Sequence, residues 1–282
     1  MPDLRIGLVT PIPPRHPKLG VDTVVLAQEA EQLGFESFWA QEHSVAPVNV
    51  VSESRVFKKG QVPGFNDPLV MLARVSAVTT RIKLGTATLL PAERNPLALA
   101  KQIATLDLYS EGRVLVGVGA GWLREQAEIF GVDFDHRWAQ VKECCLAMKK
   151  AWVNEVAEFH GQYYDYPPVR VLPHPSAKPH PPILLGGTAP NVLNRVASWA
   201  DGWVPHWVTL DQVHEARKVL DEISSHNSRP RPSISVYSDE HDLETVTKLH
   251  EAGSYRVLIR PPTPRDEAEA LNDIRALADE LL

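Results

Sequence analysis

Polar residues follow several short apolar runs of this sequence, in positions where they could bind a ligand or move a proton. The run "FESFWA" contains Trp39 and is followed by Glu42 and His43. An imidazole titrates close to neutral pH, so His43 could donate a proton or form a hydrogen bond to a ligand. A histidine in a loop can equally be a solvated or structural group. Its position directly after a predicted strand is what favours the chemical role.

The run "IKLGTATLL" carries three small residues, Thr86, Ala87 and Thr88. They suit a flat ring that lies over the backbone. Arg94, a few residues later, could bind a phosphate or a carboxylate, but it could equally pair with Glu93 at the surface.

Glycines follow the run "RVLV" in the pattern G-x-G-x-G, at Gly117, Gly119 and Gly121. A dinucleotide fingerprint G-x-G-x-x-G needs its third glycine at the position of Trp122, so this fingerprint fails. We interpret the glycines as small residues at the end of a strand, where a planar ligand approaches the backbone. Tight packing at a strand end without any ligand would also require them.

A glycine pair, Gly186 and Gly187, follows the run "ILL" and precedes Thr188 and a predicted helix. Two exposed N–H groups, a hydroxyl and the positive end of a helix dipole suit an anion such as phosphate. A Gly-Gly pair after a strand is also a common turn.

The run "GWVPHW" places His206 between Trp203 and Trp207, consistent with an aromatic pocket wall. Trp203 could equally belong to the core. No H-x-x-x-H, C-x-x-C or paired-carboxylate pattern is present, so we expect no metal.

Eight strand–helix units account for the order of apolar patterns along the chain. Eight such repeats fit an α/β fold of the (β/α)8 barrel type, with ligand groups on the loops after the strands. A doubly wound sheet is the competing architecture, but its dinucleotide turn would directly follow the first strand, where no glycine triplet stands. The predicted strands are "RIGLV", "FESFWA", "IKLGTATLL", "RVLVGVG", "ILLGG", "GWVPHW", "SISVYS" and "YRVLIR".

The composition excludes several classes of partner. The net charge of the 282 residues is −6, and no basic stripe is present, so we expect no nucleic acid. No apolar run approaches the roughly 18 residues of a membrane span, and the N-terminus does not resemble a signal peptide. The only cysteines, Cys144 and Cys145, are adjacent on a predicted helix and are expected to serve helix packing. We therefore expect a cytoplasmic protein.

Three long stretches together resemble the luciferase-like monooxygenase superfamily, particularly its branch dependent on the deazaflavin coenzyme F420. They are "GFESFWAQEH", "IKLGTATLLPAERNPLALAKQIATLDLYSEGRVLVGVGAGWLREQAEIFGV" and "PPILLGGTAPNVLNRVASWADGWVP". The resemblance implies a bacterial luciferase-like (β/α)8 TIM barrel as a single domain over residues 1–282. It also implies a flat tricyclic cofactor over the strand ends. An insertion after the second strand, about residues 44–66, is expected to cover the pocket and set the choice of substrate.

The resemblance also implies roles for individual residues. His43 matches the histidine that meets the deazaflavin edge. The Ala87–Thr88 bond matches a non-proline cis peptide that supports the ring, and the glycine pair matches a phosphate-contacting position. The predicted site thus has His43 as catalytic residue and, for the cofactor, Trp39, Glu42, Thr86, Ala87, Thr88, Gly119, Gly121, Gly186, Gly187 and Thr188.

One departure from the family pattern affects the chemistry. Trp122 stands where the sugar-phosphate dehydrogenase members carry an acidic proton donor, and it has no titratable proton. Oxidation of a sugar phosphate by that route is therefore not expected. Glu125 and Glu128, farther along, are expected to cap a helix or form salt bridges.

The leading hypothesis is an oxidoreductase that transfers a hydride between coenzyme F420 and a small organic substrate. The first alternative is an FMN-dependent monooxygenase that uses oxygen and reduced flavin from a separate reductase. The second is a non-catalytic flavin- or deazaflavin-binding protein. The resemblance also implies a homodimer. The apolar faces of "PLVMLARVSAV" and "PLALAKQIATL" could form it, although covering the barrel is their default role.

Overall fold

The barrel predicted from the sequence is present in the computed structural model, which describes residues 4–11, 21–52 and 63–282. Eight parallel strands close in the order β1-β10-β9-β8-β7-β4-β3-β2, which confirms the (β/α)8 prediction and excludes the doubly wound sheet. The strands are β1 (Ile6–Val9), β2 (Ser37–Ala40), β3 (Lys83–Thr86), β4 (Val114–Val118), β5 (Ala157–His160), β6 (Asp165–Val169), β7 (Ile183–Gly186), β8 (Gly202–Val204), β9 (Ser233–Ser238) and β10 (Arg256–Ile259).

The helices begin where the sequence supplies capping residues. Asp67 and Asn95 each accept backbone N–H groups of the following turn, and a proline occupies the next position in both cases. Gly34 ends the first helix in the left-handed region at φ +103°. The helices are α1 (Thr23–Leu33), α2 (Pro68–Ser76), α3 (Pro96–Tyr109), α4 (Arg124–Ile129), α5 (Arg137–Val153), α6 (Val192–Trp199), α7 (Leu210–His226), α8 (Leu243–Glu251) and α9 (Glu267–Leu281).

Strands β5 and β6 form an antiparallel pair outside the barrel, and the sequence patterns did not predict them. Strand β6 contains Pro167 and Pro168, and proline cannot donate a ladder hydrogen bond. A two-stranded sheet tolerates them because both of its strands are edges. The Tyr166 hydroxyl donates to the carbonyl of Ala147 and so fixes this pair on α5.

The apolar faces of α2 and α3 pack on the barrel, which is their default role. Leu72 and Val75 of α2 and Leu99 and Ile103 of α3 are fully buried. These buried faces are therefore not available to form a dimer interface, and the homodimer stays a prediction. None of the helices in the described ranges is long and apolar enough to cross a membrane.

The open end of the barrel depends on a close approach between β3 and β4 at Gly117. The carbonyl oxygen of Gly117 accepts hydrogen bonds from Thr86 Oγ1 and from the backbone N–H of Leu89, both at 2.8 Å. A Cβ atom at Gly117 would overlap with the carbonyl oxygen of Thr86. Because that atom belongs to the backbone, a side chain cannot be accommodated without moving a strand.

We expect Gly117→Ala to lower the free energy of unfolding by about 1–3 kcal/mol, because the added methyl group overpacks this crossing. Gly64→Ala is the control, since no atom lies within 4 Å of a Cβ at that position, and it should change stability by less than about 0.5 kcal/mol. Urea unfolding followed by circular dichroism measures both. Equal stability of the two variants would contradict the packing argument.

Candidate active site

A cavity of about 300 Å³ lies at the carboxyl ends of the barrel strands. Its lining residues come from the loops or final positions of β2, β3, β4, β7, β8, β9 and β10. This is the end of a (β/α)8 barrel where ligand-binding residues lie. The cavity brings together these predicted site residues: Glu42, His43, Ala87, Thr88, Gly119, Gly121, Gly186 and Gly187.

Trp39 and Thr86 do not line this cavity, and the ring of Trp39 lies in the barrel interior. Trp39 is fully buried, and its ring fills the space that Gly7 and Gly85 leave free on the neighbouring strands. Its Nε1 donates to Ser37 Oγ at 2.7 Å. The Thr86 hydroxyl already donates to Gly117. The structure therefore gives both side chains packing roles and does not bring them to the cavity wall.

Thr188 lies just outside the cavity lining, on an exposed stretch that leads to α6. Gly187 beside it adopts φ +86°, and a Cβ there would approach the ring of Trp138. The guanidinium of Arg195 lies 5.0 Å from the centroid of that same ring. This exposed stretch thus combines backbone N–H groups, a hydroxyl and a nearby cation.

Gly119 and Gly186 make room for the side chain of Thr88. A Cβ at Gly119 would overlap with Thr88 Oγ1, and a Cβ at Gly186 would lie 2.7 Å from Thr88 Cγ2. Gly119 is thus closely packed, as one interpretation of the strand-four glycines expected, and Gly186 packs against the same threonine. The Ala87–Thr88 bond is cis, as the family resemblance implied.

Glu42 lines the cavity, but its carboxylate is engaged by the protein. It pairs with the guanidinium of Arg94 and accepts the backbone N–H of Leu90 at 2.7 Å. Arg94 also approaches Asp67, at 3.4 Å. Neither of the roles considered for Arg94 is therefore seen: it neither pairs with Glu93 nor lines the cavity, and it fastens the loop after β3 to the end of β2.

His43 belongs to a half-buried row of hydrogen bonds. Its Nδ1 lies 2.9 Å from Gln126 Oε1, and Gln126 Nε2 lies 2.9 and 3.0 Å from the two carboxylate oxygens of Glu93. An ionised carboxylate only accepts hydrogen bonds, so the amide nitrogen of Gln126 must face Glu93. The amide oxygen then accepts, and Nδ1 of His43 carries the proton. In the neutral ring, Nε2 keeps the lone pair.

Burial shifts the pKa values of the two titratable groups in this row of hydrogen bonds, His43 and Glu93. It lowers the pKa of His43 below the ordinary 6.5, and the hydrogen bond with Gln126 opposes that shift. Burial likewise raises the pKa of Glu93 above 4.5. The His43 ring stacks on Phe65 at 5.9 Å and meets Trp122 edge to face at 5.7 Å. These apolar neighbours favour a neutral imidazole at pH 7.

The predicted insertion at residues 44–66 is tied to the helix that carries Gln126. Glu125 accepts the backbone N–H groups of Val51 and Ser52, at 2.6 and 2.9 Å, and the Ser52 hydroxyl at 2.6 Å. These bonds, the Ser52 hydroxyl above all, lower the Glu125 pKa to about 2. Residues 53–62 of the insertion lie outside the described ranges. Phe65, near its end, lines the cavity.

The acidic residues of α4 are engaged by the protein. Glu128 pairs with Arg124 as expected, whereas Glu125 accepts N–H groups of the loop at Val51 and Ser52 and neither caps a helix nor pairs with a cation in the described ranges. Cys144 and Cys145 are free and buried in α5, and burial raises the pKa of Cys144 to about 12. Cys144 also donates to the carbonyl of Pro91, so this packing supports the turn that carries Glu93. Among the described residues, no cluster of histidine, cysteine or acidic side chains could hold a metal.

The cavity also contains residues that the sequence patterns did not single out. Tyr237 is the last residue but one of β9 and Arg260 follows β10, so the strand-end rule that selected His43 would have found both. Gln126 and Trp138 lie on helices, and no local pattern distinguishes them from other helical residues.

His206 and Trp207 line the cavity, whereas Trp203 is a core residue whose Nε1 donates to the carbonyl of Gly187.

Known proteins that resemble this chain in sequence or fold include enzymes that use FMNH2 or F420. A sequence model described as luciferase-like monooxygenase matches residues 8–243. An uncharacterised protein of Mycobacterium tuberculosis is 35% identical over 262 residues, which cover 89% of this chain and 91% of that one. The FMNH2-dependent dimethylsulfone monooxygenase of Pseudomonas putida is 29% identical over 180 residues, 62% of this chain and 46% of that one.

The F420-dependent glucose-6-phosphate dehydrogenase of Amycolatopsis mediterranei is 28% identical over 189 residues, 65% of this chain and 52% of that one. The crystal structure of monooxygenase RslO1 from Streptomyces bottropensis superposes with a TM-score of 0.80 at 20% identity, over 99% of this chain and 98% of that one. An F420-dependent secondary alcohol dehydrogenase with an F420-acetone adduct gives 0.73 at 16% identity, over 97% and 98%. At these identities, the two solved structures show a shared fold.

The tautomer of His43 can be measured directly by ¹⁵N NMR of the imidazole nitrogens, assigned through a His43→Gln variant. At pH 7 we expect a protonated Nδ1, an unprotonated Nε2 and a titration midpoint below 6.5, because burial disfavours the charged ring. Gln126→Glu should raise this midpoint, since a carboxylate stabilises the imidazolium. Gln126→Leu should remove the preference for Nδ1–H.

Glu125→Gln is the matched control, because Glu125 is the preceding residue of the same helix and binds Val51 and Ser52 rather than His43. It should leave both nitrogen shifts of His43 unchanged. A proton on Nε2 in the wild-type protein, or a midpoint above 6.5, would contradict the chain of hydrogen bonds.

Proposed function

Because this chain belongs to the luciferase-like monooxygenase family, we propose that it is an oxidoreductase that transfers a hydride between coenzyme F420 and a small organic substrate. One observation carries the proposal: a half-buried imidazole lies at the cavity beside two aromatic rings, with Nδ1 at 2.9 Å from Gln126 Oε1 and with its pKa lowered by burial. Such a group can accept a proton when a substrate is oxidised, or return it when a substrate is reduced.

The cavity fits part of a tricyclic cofactor. Its volume of about 300 Å³ is at the lower end for ligand pockets, so a ribityl phosphate tail would have to extend outside it. The exposed stretch at Gly187 and Thr188 offers that tail hydrogen-bond donors, and Arg195 offers a positive charge close by. Anions bind favourably at such donor-rich positions before a helix.

We assign the chain's own residues as follows. Ala87 and Thr88 support the ring from the β3 side, and Gly187 and Thr188 hold the phosphate. The unprotonated Nε2 of His43 accepts the proton of a substrate that is oxidised, and the apolar rings beside it exclude water from the reacting atoms. When bound, the deazaflavin supplies a ring carbon that gives or takes a hydride.

The reaction differs from that of a sugar-phosphate dehydrogenase relative in one respect. Trp122 lines the cavity at the position where the family resemblance implies an acidic donor. An indole has no titratable proton in the physiological range. We infer that His43 is the proton-transferring group of this cavity and that sugar phosphates are not its substrates.

An FMN-dependent monooxygenase remains the second candidate. The Pseudomonas putida relative uses FMNH2, and its identity to this chain is close to that of the F420-dependent relative. The phosphate-binding stretch would serve either cofactor. A monooxygenase of this kind would need reduced flavin from a separate reductase.

A fluorescence titration of the purified protein with F420 and with FMN separates the two candidates. We expect saturable quenching by the protein with F420 and little with FMN. Tight binding of FMN together with no binding of F420 would reverse the ranking. Oxygen consumption in the presence of reduced FMN and a substrate would then identify a monooxygenase.

Thr188→Ala tests the phosphate assignment. Loss of a hydroxyl bound to a charged group should weaken F420 about tenfold. The control ligand is the same ribityl deazaflavin without its phosphate, whose affinity should not change. An equal loss for both ligands would show that Thr188 acts on the ring or on the fold instead.

His43→Gln tests the proton-transfer assignment. In a panel of small alcohols and carbonyl compounds followed by deazaflavin absorbance, we expect the rate with the best substrate to fall about 100- to 10,000-fold. F420 affinity should change little. His214→Gln, an exposed histidine on α7, is the control and should keep the full rate. An unchanged rate in His43→Gln would favour a binding protein without catalysis.

A further inference from the structure

Tyr237 carries a buried polar group that the protein itself does not satisfy. The side chain lines the cavity at the end of β9, and the residue is only 6% exposed. Its hydroxyl has no hydrogen-bond partner among the residues that the structure describes. An unpaired buried hydroxyl costs about 1–3 kcal/mol, so a group at this position is expected to have a partner.

The Tyr237 hydroxyl can act only as a neutral group here. Burial raises the phenol pKa far above its ordinary value, so the proton stays on the oxygen at any physiological pH. A phenol that keeps its proton donates one hydrogen bond. This O–H donor needs an acceptor, although the phenol oxygen can also accept a hydrogen bond.

The position of Tyr237 separates it from the groups assigned to the cofactor. In the circular order of the strands, β9 lies four places from β3 and β8 lies four places from β2. Tyr237 thus faces the Ala87–Thr88 segment from the opposite side of the barrel, and His206 faces His43. A molecule between these sides would meet the ring support on one side and Tyr237 on the other.

The wall around Tyr237 is flat and carries balanced charge. His206 stacks between Tyr237 and Trp207, with centroid distances of 4.1 and 3.9 Å and interplanar angles of 9° and 18°. Asp239 lies 3.2 Å from His206 Nε2 and 3.6 Å from Arg260, whose guanidinium carbon is 5.4 Å from the Tyr237 ring centroid. The negative charge of Asp239 balances the positive charge of Arg260, so a neutral ligand fits this wall.

We propose that Tyr237 binds the oxygen of a neutral, planar carbonyl substrate, which lies between the aromatic wall and the Ala87–Thr88 side of the cavity. The inference rests on the proposed function, since it names the substrate class of the same cavity. A carbonyl oxygen accepts the phenol hydrogen bond without bringing in a charge. Its flat, partly apolar body suits the stacked rings and the nearby Val204.

The probe for this proposal is 4-(dimethylamino)cinnamaldehyde, a flat aldehyde whose carbonyl stretch falls in frequency when the oxygen accepts a hydrogen bond. Difference Raman spectra and affinities are recorded with the full-length protein, alone and saturated with F420. We expect a lowered carbonyl frequency in the wild-type protein. In Tyr237→Phe, the frequency should return to that of the free aldehyde in an apolar solvent, and binding should weaken about two- to tenfold.

Two controls separate hydrogen bonding from packing. Tyr255→Phe makes the same change at a half-exposed tyrosine outside the cavity and should leave the frequency unchanged. The analogue in which a methyl group replaces the aldehyde should bind the wild-type protein and Tyr237→Phe equally. Equal weakening of aldehyde and analogue would show a packing defect and overturn the proposal, as would a lowered frequency that persists in Tyr237→Phe.

F420 binding, measured separately by fluorescence, distinguishes failure of the two proposals. If F420 binds but the aldehyde frequency does not depend on Tyr237, the carbonyl site is wrong and the proposed function stands. If F420 does not bind but the frequency depends on Tyr237, the carbonyl site stands and the cofactor assignment fails.

Discussion

The close approach of β3, β4 and β7 at the open end of the barrel is the constraint on which the rest of this site depends. Gly117 lies directly against the backbone of Thr86, and Gly119 and Gly186 leave room for Thr88. Any side chain at these glycines would push the β3 loop away from its neighbours. The cavity thus has a wall made of backbone and one threonine, which a planar ligand can approach more closely than a wall of longer side chains.

The charged groups around the cavity, in contrast to the glycines, need partners within the protein. Glu42 is engaged by Arg94, Glu93 accepts from Gln126, and Asp239 lies near Arg260. Unpaired buried charges cost far more than paired ones, so these contacts are what allow acidic and basic residues so close to an apolar cavity. The groups left to face a ligand are mainly neutral. Among them are the His43 imidazole and the Tyr237 phenol, to which we assign the proposed chemistry.

The sequence predicted the barrel and its helices, and eight of the predicted site residues line the cavity, because strand order alone brings strand ends together. Trp39 is not among them, since an aromatic side chain at a strand end can point into the barrel as readily as toward its mouth. Only Gly7 and Gly85 on the neighbouring strands show that space was reserved for this ring. Gln126 was missed for another reason. Its role depends on the angle of α4 to the barrel, which no local pattern encodes.

A neutral imidazole and a neutral phenol at one cavity suit the proposed hydride transfer between a cofactor and a carbonyl compound. Hydride transfer to a carbonyl places negative charge on its oxygen, and a hydrogen-bond donor at that oxygen stabilises the charge as it develops. Water would compete for the same oxygen. The donor is therefore most effective where apolar rings exclude water. The deep burial of Tyr237 and the apolar contacts of His43 meet this condition. In this proposal, the Tyr237 phenol and the His43 imidazole act as neutral groups that are shielded from water.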